Sequence, residues 1–339
     1  MYKSEFSEIE GVYRFKIDVP FHVKFVCIYL LKIDNKNVLI DAGVNLGDWS
    51  KVFFSVLNDA KLNIKDIDYC IISHAHMDHV GLLKKFKRKN PNLQIFMHDI
   101  TNDILKWSTD PENFEEIESS AEKMAQKMIK YGISDKQGKR VSQIFTSWSK
   151  MVKYQKPDNL LNDGDEISFG TNKLKIIWTP GHSFGHICIF DQDKKHLFAG
   201  DHILSRITPH IGVFNVSPAL KNKYNFNNIL KNYLESLDHI DKLNPKIIFP
   251  AHQEIIYNPH QRIMEIKEHH KNRLNEIYNL IKENPLTPYR ISQIHFGEDL
   301  DEMNSFLALN EVLSHLIYLE HQERVKRIER NDKILFTVN

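Results

Sequence analysis

The stretch SHAHMDHVG, residues 73–81, follows the apolar run Tyr69–Ile72 and precedes a helical segment that begins at Leu82. Four ligand-type side chains, His74, His76, Asp78 and His79, fall within six residues of this strand-to-helix loop. In an extended segment alternate residues share a face, so His74 and His76 can address one metal ion. Asp78 and His79 lie past the strand end and can turn toward a second. Imidazole with carboxylate suits Zn2+, with Mn2+ or Fe2+ as alternatives, and does not suit Ca2+ or Mg2+. A solvated histidine cluster on a turn is the plainer reading, but the loop does not stand alone.

Three partner segments repeat its design. TPGHSFGH (179–186) offers His182 and His186, AGD (199–201) places Asp201 after an apolar strand, and FPAH (249–252) does the same for His252. Each is an apolar run that ends in small residues and then a ligand, which is how a layered sheet presents side chains to one edge cleft. Strand signals at Val12–Ile17, Phe25–Ile33, Asn37–Ile40, Tyr69–Ser73, Leu93–Met97, Lys173–Thr179, His186–Asp191, His196–Ala199 and Lys246–Pro250 interleave with helical stretches. That rhythm predicts layered α/β or α+β architecture. Asp34 to Lys36 form a polar turn that makes a hairpin of its flanking strands.

The chain has 339 residues, with 45 Lys and Arg against 44 Asp and Glu, a formal charge of +1. Such a length accommodates one large domain or two unequal ones. The charge balance argues against coating nucleic acid by bulk electrostatics. With 42% hydrophobic residues a full core can form, which excludes global disorder. The apolar runs are too short for a membrane span, and the polar start MYKSEFSEIEG shows no secretory signal. Three scattered cysteines suit a reducing cytoplasm and exclude a disulfide scaffold or thiolate zinc finger.

Two segments break the rhythm. About 101–156 reads as two or three helices carrying Trp107, Trp148, Met124, Met128, Met151 and Tyr154. It is either a packed subdomain, with these residues as its core, or a lid. The catalytic domain is expected over 1–259, and 260–339 reads as three helices and a hairpin about Asn331–Asp332, the order of a winged helix-turn-helix. Residues 260–339 carry 11 Lys and Arg against 13 Asp and Glu. The helix that would enter a DNA groove carries Glu302, Glu311 and Glu320, so sequence-specific DNA reading is not expected. Packing against the main domain or a homodimer partner is the default. The cluster Arg324, Lys326, Arg327, Arg330 and Lys333 leaves RNA contact open.

Over roughly residues 11–258 this motif set resembles the metallo-β-lactamase superfamily of metallo-hydrolases. The resemblance implies an α+β fold, an αββα sandwich of two related halves. Carried over by position, it implies that His74, His76 and His186 hold a first metal, that Asp78, His79 and His252 hold a second, and that Asp201 bridges them. Asp41, in LIDAG, and His182 would support the ligand loops without touching metal. No cysteine stands at the bridging position, which disfavours antibiotic hydrolysis, and His76 in place of a glutamate disfavours a flavo-diiron role. The nuclease cap motifs and the basic C-terminus of glyoxalase II members are not found. The segments GDHILSRITPHIG (200–212), NPLTPYRISQIHFG (284–297) and LALNEVLSHLIYLEHQERV (307–325) are similar to the subgroup with a C-terminal winged-helix domain, that of β-lactamase-like protein 2.

The resemblance implies a dinuclear hydrolase, with a hydroxide between two divalent cations as nucleophile and Asp78 orienting it; the balanced charge, the aromatic insertion as a lid and the acidic third helix point to a small ester, thioester or lactone as its substrate. The competing readings are a phosphodiesterase or endoribonuclease acting on single-stranded RNA, and a mononuclear-iron sulfur dioxygenase. Arg206 and His210, on the loop Ile203–Asn222, are candidates to contact a substrate carboxylate or phosphate, against an equal reading as ordinary loop residues.

Overall fold

The computed structural model describes residues 2–212 and 216–339, with side chains omitted at 148–150. Trp148 and residues 213–215 of the loop after Asp201 therefore lie outside the described set. The chain divides into two compact units. The first comprises Met1–Lys106, Met151–Pro209 and Asp238–Arg262; the second comprises Trp107–Lys150, His210–Leu237 and Ile263–Asn339.

The first unit is built on two sheets. Strands β1 (Ser4–Ile9), β2 (Val12–Asp18), β3 (Phe25–Ile33), β4 (Lys36–Ile40), β5 (Tyr69–Ile72), β6 (Gln94–His98) and β7 (Asn159–Leu161) form a seven-stranded sheet in that order. Its first four strands pair antiparallel and its last four parallel. Strands β8 (Glu166–Phe169), β9 (Asn172–Trp178), β10 (Ile187–Asp191), β11 (His196–Gly200) and β12 (Ile247–Pro250) form the second sheet, in which only the β11–β12 pair is parallel.

Strand β3 shows why its sequence is apolar almost throughout. Val26, Ile28 and Leu30 enter one core cluster with Trp49, Phe53, Leu83 and Phe86 of the helices Trp49–Asp59 and Leu83–Lys89. Cys27, Tyr29, Leu31 and Ile33 enter the other, with Ile176, Ile189, Phe198 and Phe249 of the facing sheet. Alternate residues point to opposite faces, and both faces are covered, so neither can be polar. The result is helices, sheet and sheet in successive layers, the α+β sandwich expected from the motifs.

Turn chemistry sets the registers. Asp34 and Asn35 both take positive φ between the paired Ile33 and Lys36, the mirror-type turn that matches strand twist. Glu10 and Gly11 do the same for the β1–β2 hairpin. Strand β1 leaves no apolar signal in the sequence, because SEFSEI carries an exposed, charged pattern typical of an edge. Strands β7 and β8 were also missed, each being only three or four residues long.

The second unit contains the helices Phe114–Lys130 and Asp135–Met151, then most of Pro259–Glu283, Pro288–Phe296 and Glu302–His321. It ends in the hairpin of β13 (Val325–Arg330) and β14 (Lys333–Val338), whose two-residue turn is Asn331–Asp332. No helix among the described residues is long and apolar enough to cross a membrane.

Candidate metal centre

The ligand-type residues sit at strand ends. Asp41 follows β4, residues 73–79 follow β5, Asp201 follows β11 and His252 follows β12. Main-chain bonds join these ends: Ile187 N–H donates to Ser73 O at 2.8 Å, Ala251 N–H to Gly200 O at 2.8 Å and Cys27 N–H to Ala251 O at 2.7 Å. The cluster therefore rests on backbone shared by both sheets. Gly200, at φ +48°, has no room for a side chain, since a Cβ there would meet His186 Nε2 at 2.7 Å.

The side chains form two groups about Asp201. In the first, His74 Nε2 lies 2.9 Å from His76 Nδ1, which lies 3.0 Å from His182 Nε2, which lies 3.4 Å from Asp201 Oδ2. In the second, Asp201 Oδ1 is 3.5 Å from His79 Nε2 and 3.3 Å from His252 Nε2, while Asp78 is 3.8 Å from His79 Nε2 and 3.4 Å from His252 Nε2. One carboxylate thus turns one oxygen to each group. Donors held about 2.0–2.1 Å from a tetrahedral zinc ion stand roughly 3.3 Å apart, so this spacing fits cation binding. His79 Nε2 and Asp201 Oδ1 are buried with no hydrogen-bond partner, the condition of ligand atoms.

This geometry corrects one sequence-based assignment. His182, expected to support a loop, faces His76 and Asp201. His186, expected as a ligand of the first metal, has both ring nitrogens engaged elsewhere. Its Nδ1 lies 2.8 Å from the Thr179 hydroxyl, and its Nε2 accepts from the Asp201 main-chain N–H at 3.1 Å. The two histidines are four residues apart in one loop, and spacing does not separate them. The difference is that His186 immediately precedes β10 and is fully buried, whereas His182 sits in the loop and keeps 12% of its side chain exposed.

Electrostatics differ between the groups. Burial, reinforced by neighbouring imidazoles, holds His74 well below its usual value and His76 at about 3, so both are neutral donors. Burial also opposes charge on His79, but Asp41, Asp201 and Asp78 outweigh it and raise the ring to about 9. His252 is likewise raised against burial, chiefly by Asp201. Asp201 is held well below the carboxylate range, since His252 and His79 overcome its burial. The second group thus gathers positive charge around two carboxylates, a role that divalent cations fill when bound.

Supporting bonds orient the rings. Asp41, itself at φ +68°, accepts from Ser73 N–H and Ser73 O–H, each at 2.8 Å, and lies 2.7 Å from His79 Nδ1. His252 Nδ1 donates to Phe25 O at 2.7 Å, which turns its Nε2 toward Asp78 and Asp201. Ser73 and Phe25 escaped the sequence reading, since a hydroxyl or carbonyl beside a ligand carries no pattern of its own. Asp41→Asn should loosen metal binding by about 10–100-fold with the fold intact, as read by competition with a chelator. Unchanged affinity would mean that Asp41 does not orient His79.

His76, Asp78 and His182 are the partly exposed members, so the cluster opens to solvent on their side. Arg206 is exposed, and its N–H donates to Gln253 Oε1 at 2.7 Å, which fixes its backbone beside the residue after His252. His210 lies in the second unit and is half-buried.

The sandwich and this ligand-rich edge define a metallo-hydrolase. The chain belongs to the metallo-beta-lactamase superfamily, whose model matches residues 23–252; residues 274–337 match the metallo-beta-lactamase-like C-terminal domain. It is 24% identical over 335 residues to the probable metallo-hydrolase YqjP of Bacillus subtilis, covering 96% of this chain and 98% of the other. It is 27% identical to the acyl-coenzyme A thioesterase MBLAC2 of Bos taurus over 202 residues, 55% of this chain and 64% of that one. Among solved structures, the metallo-beta-lactamase family protein TTHA1429 of Thermus thermophilus shares the fold, with a TM-score of 0.78 at 24% identity over 98% of this chain and 99% of that one.

Proposed function

We propose that this metallo-hydrolase cleaves a small thioester, using two divalent cations, zinc by ligand type. The observation that carries the reading is Asp201, whose two oxygens face two separate donor groups. His74, His76 and His182 would hold one cation, Asp78, His79 and His252 the other, and Asp201 would join them. When bound, such a pair supplies a hydroxide nucleophile near neutral pH and polarises the attacked carbonyl.

The chain's own groups do the rest. Asp78, partly exposed and 3.4 Å from His252 Nε2, would orient the attacking water and accept its proton. Ordinary thiols have a pKa near 8.5, so a thiolate leaves without a proton donor, and none need be found for it. Arg206 offers an exposed guanidinium to a phosphate on the leaving group. Ester and lactone cleavage use the same apparatus and differ only in the leaving group. The thioesterase names of MBLAC2 and of the atrochrysone carboxyl ACP thioesterase of Aspergillus fumigatus, 22% identical over 237 residues, support the choice.

The RNA reading loses ground at the hairpin. Arg327 pairs with Glu320, Arg324 lies over the Tyr278 ring and Lys333 donates to Ile129 O, so three of its five cations are engaged within the second unit. The test is a substrate panel on the full chain, with metal quantitation. Acyl-thioester hydrolysis that a chelator abolishes and zinc restores is expected, with no cleavage of an oligoribonucleotide. RNA cleavage with steep salt dependence and no thioester turnover would replace the proposal, as would one iron per chain with oxygen uptake.

A further inference from the structure

A second cluster of ligand-type side chains lies within the second unit. Glu311 and His315 stand four residues apart on the helix Glu302–His321 and so share a face. His270 comes from the helix Pro259–Glu283. The three offer ligand atoms within 4.8 Å of one another. All are buried, His270 and His315 completely and Glu311 to 9% exposure. His270 Nδ1 and His315 Nε2 are 3.0 Å apart, again near the spacing of donors about one zinc ion.

Hydrogen bonding leaves this cluster in need of positive charge. His315 Nδ1 lies 2.7 Å from the Glu311 carbonyl oxygen, which only accepts, so Nδ1 carries the proton and Nε2 is bare. An imidazole fixed by a backbone carbonyl in this way is oriented like a metal ligand. His270 Nε2 is buried without a hydrogen-bond partner. The buried Glu311 carboxyl accepts a long 3.4 Å bond from Ile211 N–H and stands 3.8 Å from His315 Nδ1. Arg273 also acts on that carboxyl, but its guanidinium pairs with Glu276 at 3.5 Å and lies over the Phe296 ring. A buried carboxylate so placed is stable only with a proton or a cation.

We infer that His270, Glu311 and His315 bind one divalent transition-metal ion of the zinc type, separate from the ions at the Asp201 centre. Helix bundles build metal sites from side chains on facing helices in this manner. The sequence signal is the E-x-x-x-H spacing of EVLSH, residues 311–315, partnered by one histidine of the His269–His270 pair.

The test strips the full chain with a chelator, dialyses it against zinc and counts bound ions. Glu311→Gln keeps the side-chain shape and an acceptor for Ile211 N–H, and should hold one ion fewer than the unaltered chain. That difference does not depend on how many ions the Asp201 centre takes. In the double variant His76→Ala, Asp201→Ala, one ion should remain, and cobalt substitution should show it as a visible absorption band that Glu311→Gln removes. Equal counts in the unaltered chain and Glu311→Gln, or no ion in the double variant, would overturn the inference and leave a protonated Glu311 in a hydrogen-bond network.

Discussion

Asp201→Ala is expected to lower kcat/KM on a thioester by about 10^3-fold or more and to reduce bound metal at the same time. Losing several kcal/mol of transition-state charge stabilisation corresponds to such a factor, at about 1.4 kcal/mol per decade. Asp201 is the residue that faces both groups, with Oδ2 at 3.4 Å from His182 and Oδ1 at 3.3 Å from His252. Its loss also removes a counter-charge from His79 and His252, whose rings are raised by it. Asp201→Asn separates charge from shape: the amide fits the same space but carries no negative charge, so metal loss should persist although the packing survives. Full turnover with two ions still bound to Asp201→Ala would remove the basis for a joined pair.

Much of this centre could be read before the structure, and the limit has a physical cause. His74, His76, Asp78, His79, Asp201 and His252 each sit one to several residues past an apolar run, so the strand end announces the candidate ligand. Layering was legible from the alternation of strand and helix signals, while the two-sheet sandwich came with the family resemblance; FVCIYLL at 25–31 has no polar face because helices cover one side and a sheet the other. His182 and His186 differ in the sequence only in that His186 stands at the start of a strand signal, and that position does not say which ring faces the other candidate ligands. In the structure the His186 ring meets Thr179, seven residues earlier in the same segment, and the Asp201 N–H, whereas His182 faces His76 and Asp201. Glu311 illustrates the same limit on a helix. In the sequence it counts only as one of three acids that make its helix unsuited to DNA, yet it is buried beside two histidines, one of them from another helix.

The paired variants His182→Ala and His186→Ala turn that distinction into opposite outcomes. His182→Ala removes a ring whose Nε2 lies between His76 Nδ1 and Asp201 Oδ2, so the first cation should bind far more weakly and turnover should fall with it. The fold should persist, because this side chain is partly exposed and few buried groups depend on it. His186→Ala acts the other way. It leaves the Asp201 N–H buried without its acceptor, at a cost of about 1–3 kcal/mol, and leaves the Thr179 hydroxyl only its longer contacts to the His186 main-chain oxygen and Cys188 Sγ. It also opens a cavity beneath Gly200, which closes against the His186 ring. A shift of about 2–4 °C in Tm accompanies each kcal/mol in a domain of this size, so the melt should drop by several degrees or more. Metal content measured below that melt should stay near the unaltered level. Should His186→Ala instead empty the first position while His182→Ala keeps its ions and its rate, the two histidines would exchange roles, and Asp201 Oδ2 would need a different partner.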